Sequence, residues 1–232
     1  MAFQSRRTAS AGYRLALAAV LAASLQTSAD AATGCSTGPS DAWKASQEAV
    51  ASGDAGRVIL TLTPAYRTRN AVEYAVGASM VAQIGGMSGT MSDKPGAAEK
   101  AKAAETKLLA ELDAILKKYK AATIEEIGKP LLVRMQEPEV LARFEKIDHA
   151  AYAREMEKFL GKVEAAAKEA GVSSPGAPKL DELVVGGGDL SAPLAAPAVT
   201  GDTAKAAAGT ATMRFRKVNG CWLVDGREEP SH

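Results

Sequence analysis

The chain has 232 residues, 47% hydrophobic and 24% charged, with a net charge of +1. These are globular proportions, and they exclude a disulfide-dense mini-protein, a collagen and a highly charged disordered chain. Aromatic residues make up only 5%, so alanine and the aliphatic residues must build a light, helix-rich core.

Arg6, Arg7 and Arg14 precede an apolar run over 15–25, and small residues follow, with Ala29 and Ala31 two apart. A basic start, a short apolar run and an A-x-A site define a secretory signal peptide. It is expected over 1–31, with cleavage between Ala31 and Ala32. The run is too short for a membrane span, which needs about 20 apolar residues. Arg6-Arg7 permits a twin-arginine route, but the hydrophobic residues expected after the pair are missing and the general secretory route fits better. A lipoprotein alternative runs through Cys35, although Ala32 stands where leucine is usual. The expected location is the periplasm or the cell exterior, with no transmembrane segment in the mature chain. Removing 1–31 takes away three arginines and Asp30, which turns the net charge from +1 to −1. A nearly neutral chain without a basic, aromatic-rich patch has no long-range attraction for nucleic acid.

Cys35 and Cys221 are the only cysteines. Two readings stand open. In an exported chain they pair, and a loop of that length stabilises by roughly 5 kcal/mol on the chain-entropy argument. Alternatively Cys221 is a small buried hydrophobe and Cys35 a free thiol. No C-x-x-C occurs and the histidines are His149 and His232 alone, so neither a metal site nor a cofactor is expected.

Residues 32–40 read as a flexible leader. A helix follows from Ser40 or Asp41, with Trp43, Ser46, Gln47, Val50 and Ala51 on one side and Gly53 as its stop. Asp54 caps a second helix reaching Leu62 before Pro64, although Val58 to Thr63 carries strand propensity. Val72, Val76, Met80 and Ile84 recur every four residues and predict a buried helix over 69–84. The glycine-rich stretch 85–96 predicts a loop. It is not a phosphate loop, because no Gly-Lys-Ser/Thr closes it.

Residues 97–120 predict a helix with Leu108, Leu112, Ile115, Leu116 and Tyr119 on one face, and Asp113–Lys117 as a stabilising pair. Thr123 and Glu126 form a capping box. Pro138 suits a first turn, and a helical period continues over 139–170 to a stop at Gly171. Residues 172–210 are rich in Gly, Pro, Ala and Ser, and large side chains are few; loops with edge strands or partial disorder are expected, with Leu183-Val184-Val185 as a short strand. Asn219-Gly220 then predicts a type I′ hairpin pairing Val218 with Cys221 and Phe215 with Val224. Met213, Phe215, Trp222 and Val224 face the core, and Arg214 and Arg216 face outward. The fold expected is α+β, mostly helical with a small C-terminal antiparallel sheet, over one domain spanning 41–229. A helical bundle carrying one hairpin is the alternative.

Two segments carry a family resemblance. Gly53-Asp54 with the following Val58 to Arg67 (Val-Ile-Leu-Thr-Leu-Thr-Pro-Ala-Tyr-Arg) resembles the opening helices of the nuclear-transport-factor-2-like superfamily. Phe215 to Gly226 resembles the closing hairpin of its exported bacterial members. The resemblance implies a cone of helices against a curved sheet. The long helical middle, 69–171, departs from that pattern. The superfamily holds isomerases, dehydratases and non-catalytic domains, so fold does not give function.

No Gly-x-Ser-x-Gly supports hydrolase chemistry. His149 reads as exposed or capping, and Asp181, Glu182 and Asp189 as solvated loop acids. Tyr66, Tyr74, Tyr119 and Tyr152 fall at packing positions. The leading reading is an exported non-catalytic domain that binds a small apolar ligand through Trp222, Tyr66 and Phe215, or a protein partner in the envelope. The alternatives are a small-molecule enzyme with Tyr66 or an aspartate as acid/base, and a helical envelope-interaction protein with an exposed apolar stripe over 97–170.

Overall fold

A computed structural model describes residues 35–90, 96–128, 138–169 and 190–228. The expected signal peptide, the bond after Ala31 and the Leu183-Val184-Val185 strand lie outside the described residues. Within them the chain is α+β: seven helices precede an open four-stranded antiparallel sheet. A single hairpin on a bundle is therefore excluded.

Helix α1 spans Pro39–Ala51, with Pro39 in its first turn. It buries Ala42, Trp43, Ser46 and Ala49. Val50 is half-buried and Ala51 exposed, so the buried stripe is rotated from the expected one toward Ala49. Gly53 follows at φ +67. Asp54 then caps α2 (Ala55–Leu60), accepting from the Gly56 and Arg57 amides at 2.9 and 3.3 Å. The expected helix to Leu62 stops at Leu60 because Thr61 to Thr63 leave the helix to pair with the sheet. The β-branched run is thus divided between the two structures that its cap and its propensity favour.

Helix α3 (Pro64–Thr90) starts on the proline and takes in residues 85–90 of the stretch expected as a glycine-rich loop, of which 91–95 lie outside the described residues. Helix α4 (Ala97–Lys118) packs along it. Met80 and Ile84 are 50% and 40% exposed, so the four-residue apolar period is buried only as far as Val76. Together with Val199 they are the exposed large apolar side chains among the described residues, and none lies on 97–170. In α5 (Ile124–Gly128) the capping box forms as expected: Glu126 accepts from the Thr123 amide at 2.8 Å and donates its own amide to the Thr123 hydroxyl at 3.3 Å.

The long helix expected over 139–170 is two helices, α6 (Pro138–Phe144) and α7 (His149–Glu169). The break falls at Asp148, which accepts from the Ala151 amide at 3.0 Å and starts a new helix. Tyr152 on α7 is the aromatic centre of the helical half. It stands edge-on to Tyr119 and Phe144, with centroids 5.3 and 6.1 Å away, and donates to the Ala71 carbonyl at 3.2 Å.

Strands β1 (Ala198–Thr200), β2 (Thr203–Ala208), β3 (Ala211–Val218) and β4 (Cys221–Arg227) form a meander. The alanine-rich segment, expected as loops with edge strands or partial disorder, supplies β1, at the sheet edge, and β2. Ala204, Ala206 and Ala208 alternate into the core. The hairpin has the expected register, from Val218↔Cys221 to Phe215↔Val224. Asn219 and Gly220 take φ +51 and +85, as a type I′ turn requires. Met213, Phe215, Trp222 and Val224 are buried, and Arg214 and Arg216 are exposed.

Cys35 and Cys221 form a disulfide, which removes the free-thiol reading. Ser36 bridges to Trp222, whose amide donates to its carbonyl at 2.8 Å. The expected leader is therefore pinned to β4 from residue 35 onward. Cys35→Ser is expected to lower stability by up to about 5 kcal/mol, read as a fall in the denaturant midpoint of the chain beginning at Ala32. An unchanged midpoint would contradict a structural role for the bond.

Candidate functional site

A cavity of about 690 Å³ lies between α4 and α7. Ile115 and Phe159, both buried, line its apolar floor. Its rim carries Lys118, Arg154, Lys158 and Lys162 against Glu111 and Glu155. Two ion pairs cross it. Lys118 reaches Glu155 at 2.5 Å, and Lys162 pairs with Glu111. Arg154 instead turns to Asp54, donating to both carboxylate oxygens at 2.7 and 3.1 Å, and so ties α7 to the cap of α2. Lys158 has no ion-pair partner among the described residues.

Burial pulls Glu155 upward, but the hydrogen bonds from Lys118 and Tyr119 outweigh it and hold the carboxyl below its ordinary value. The same burial and the Glu155 contact push Tyr119 up to about 12. The lysine side chains of both crossing pairs are about 60% exposed. Exposed pairs of this kind contribute little to stability and exchange readily for another charged group.

The three expected ligand residues do not line this groove. Phe215 and Trp222 are 1% and 6% exposed and pack in the core behind the sheet. Tyr66 is half-buried on the first turn of α3. Its ring lies over Gly226: a Cβ there would stand 3.1 Å from the ring, and the residue sits at φ +98. Asp225, one residue earlier, is the extra residue of a β-bulge opposite Arg214 and Phe215. The bulge turns its carboxylate to accept from the Thr63 hydroxyl at 2.7 Å and from Arg216 at 3.2 Å.

His149 opens α7 half-buried rather than exposed. Its Nε2 is buried and has no hydrogen-bond partner. Arg67 stands near it and donates to the Leu62 and Leu60 carbonyls at 2.7 and 2.6 Å, satisfying the C-terminal end of α2. Asp181, Glu182 and Asp189 lie outside the described residues. Among the described residues no three His, Cys, Asp or Glu side chains converge as metal ligands do. Sequence reasoning missed the α4–α7 groove. Its signal was the alternating charge on both helices, which marks a solvated face equally well.

Burial first, and Arg67 second, hold His149 below its ordinary value of 6.5. It is therefore neutral in the folded chain at neutral pH, while the unfolded chain takes up its proton near 6.5. Stability is expected to fall as pH drops through 6.5 toward the folded-state value, and His149→Gln should flatten that part of the profile, read as urea midpoints between about pH 7 and about pH 5. Gly226→Ala is expected to cost at least about 1 kcal/mol, read in the same melts, because the residue combines a positive φ with the Tyr66 ring. No protein family, no curated protein and no solved structure matches this chain.

Proposed function

We propose that the protein is an exported, non-catalytic binding domain of the cell envelope that grips an acidic protein surface along the α4–α7 groove. The observation that carries this reading is the groove itself, an open cleft with an apolar floor and Lys118, Lys158 and Lys162 against Glu111 and Glu155 on its rim, with Arg154 held by Asp54. A small apolar ligand is less well served, because Trp222 and Phe215 are packed into the core. Exchange of the exposed Lys118–Glu155 and Lys162–Glu111 pairs for partner carboxylates would be nearly neutral in energy, and Lys158 makes no direct ion pair among the described residues.

Export is supported by the basic, apolar and A-x-A pattern over 1–31 and by the Cys35–Cys221 disulfide, a bond that persists in oxidising compartments. None of the described helices is long and apolar enough to cross a membrane. A relationship to the nuclear-transport-factor-2-like superfamily is supported by the meeting of the two segments that carry the resemblance. Thr63 bonds Asp225, and Tyr66 covers Gly226.

The test places a photo-crosslinking residue at Lys158, or at Lys205 on the outer face of the sheet, in the full-length chain expressed in bacteria. A discrete adduct is expected from 158 alone, and it should vanish when Lys118 and Lys162 are reversed to Glu. The recovered chain should begin at Ala32. Equal adducts from both positions, or none, would overturn the groove. Retention of residues 1–31 in the cytoplasm would overturn export.

A further inference from the structure

Two ion pairs fix how α4 and α7 lie beside each other. Lys118 pairs with Glu155, and Lys162 with Glu111. The two crossings are seven residues apart on each helix, and residue numbers rise along one wall as they fall along the other. The helices therefore run antiparallel and stay level over two turns, about 10 Å at a rise of about 1.5 Å per residue. Ile115 and Phe159 fall between the crossings, and Ala114 and Ala151 give the walls small side chains. Lys158 and Lys162 stand four residues apart on one side of α7, and Lys158 makes no direct ion pair among the described residues. Both walls are helical, so they present no open strand edge to which an extended chain could add.

We propose that the occupant of the groove is an amphipathic helix of the partner, apolar along one stripe and acidic on its flanks, lying lengthwise between α4 and α7 as a third helix. This rests on the groove being the binding surface. The backbone argues against an extended chain. An extended segment over an apolar floor leaves its own amides and carbonyls without partners, whereas a helix bonds them internally. The spacing argues for a helix. Seven residues make two turns, so a helix laid along the cleft returns the same face to both crossings. Its apolar stripe then lies over Ile115 and Phe159, and Ala114 and Ala151 let its backbone come close. Its flanking carboxylates meet Lys158 and compete for Lys118 and Lys162, whose present pairs are exposed. The charge on the partner follows from the excess on the rim. Three lysines face two glutamates there, and Arg154 is held by Asp54. The partner is thus defined by a pattern, apolar residues three and four apart with acids beside them.

The probe is a fluorescent synthetic peptide of about three heptads, with leucine at a and d and glutamate at e and g, whose like charges keep it from pairing with itself. It is titrated with the disulfide-bonded chain from Ala32 and followed by anisotropy and far-UV circular dichroism. Saturable binding is expected, with helical signal beyond the sum of the two parts. The same peptide with proline at its centre keeps the charge but not the helix, and should bind at least about tenfold more weakly. Lys158→Glu should weaken binding about fivefold or more, because it turns an exposed attraction into a repulsion. Ala114→Gln, which puts a longer side chain into the wall and keeps a good helix former, should weaken it as well. Both positions are exposed, so the fold tolerates the changes. Lys205→Glu, on the sheet, alters the net charge equally and should leave binding unchanged. Equal binding of the two peptides, no saturable binding, or binding that survives both groove variants overturns the helix as occupant. The crosslink from position 158 decides the groove separately, so a surviving adduct with equal peptide binding leaves the groove and removes only the helix. Self-association of the chain that Lys158→Glu abolishes, read by sedimentation, makes the occupant a second copy and overturns the proposal too.

Discussion

The fold turns on a three-residue splice. Thr61, Leu62 and Thr63 leave α2, lie against β4 and lead directly into α3. The Val224 amide donates to the Thr61 carbonyl at 3.0 Å, and the Thr63 amide donates to the Val224 carbonyl at 2.8 Å. Leu62 and Val224 are fully buried at the crossing, and Thr63 adds its hydroxyl bond to Asp225. An edge strand must otherwise leave a row of amides and carbonyls open. Here Leu62 covers the β4 edge at Val224, and Ser36, beside the disulfide, covers it at Trp222. The helical half and the sheet are joined by backbone hydrogen bonds as well as by side-chain packing.

That junction compensates for a light core. Aromatic side chains are few, and many buried positions are alanine, which brings little transfer free energy per residue. Alanine does permit close approach. Ala204, Ala206 and Ala208 let β2 lie against the body of the domain, while Trp43 and Gln47 on α1 bond the carbonyls of Ala192 and Leu190 that lead into the sheet. The large side chains collect at two points, Tyr152 with Phe144 and Phe159 among the helices and Phe215 with Trp222 under the sheet. Polar links span the distance between elements. Asp54 caps α2 and holds Arg154 of α7, and Arg67 ties the start of α3 to the end of α2.

The α4–α7 groove and the seam around Tyr66 differ in origin. The α4–α7 groove comes from two amphipathic helices whose charged edges meet across a cleft, with Lys118–Glu155 and Lys162–Glu111 bridging it. Its charges are exposed and adaptable. The seam around Tyr66 is built on a β-bulge and a positive-φ glycine, features that re-aim side chains at a fixed place.

Elements set by local chemistry were legible in the sequence. Asp54, the Thr123–Glu126 box and the Asn219-Gly220 turn each specify a backbone geometry within a few residues, so the second helix start, the fifth helix and the whole hairpin register could be read directly. The period of Met213, Phe215, Trp222 and Val224 likewise assigned a buried face. Elements whose fate depends on distant partners could not be read. Gly85 and Gly86 belong to a helix although their composition suggests a loop, and the apolar period at Met80 and Ile84 continues beyond the surface that buries it. Ala204, Ala206 and Ala208 look like low-complexity linker until β3 supplies the ladder that makes them strand. Cys35 and Cys221 left pairing open, because 186 residues of separation say nothing about proximity. The candidate sites fall in the same class. Tyr66 stood out in its segment, but it meets Gly226 only through the tertiary fold, and the groove exists only because α7 lies beside α4. Sequence determined the caps, turns and faces, since those are short-range. Tertiary structure decided which charges meet, since that depends on contacts between residues far apart in the chain.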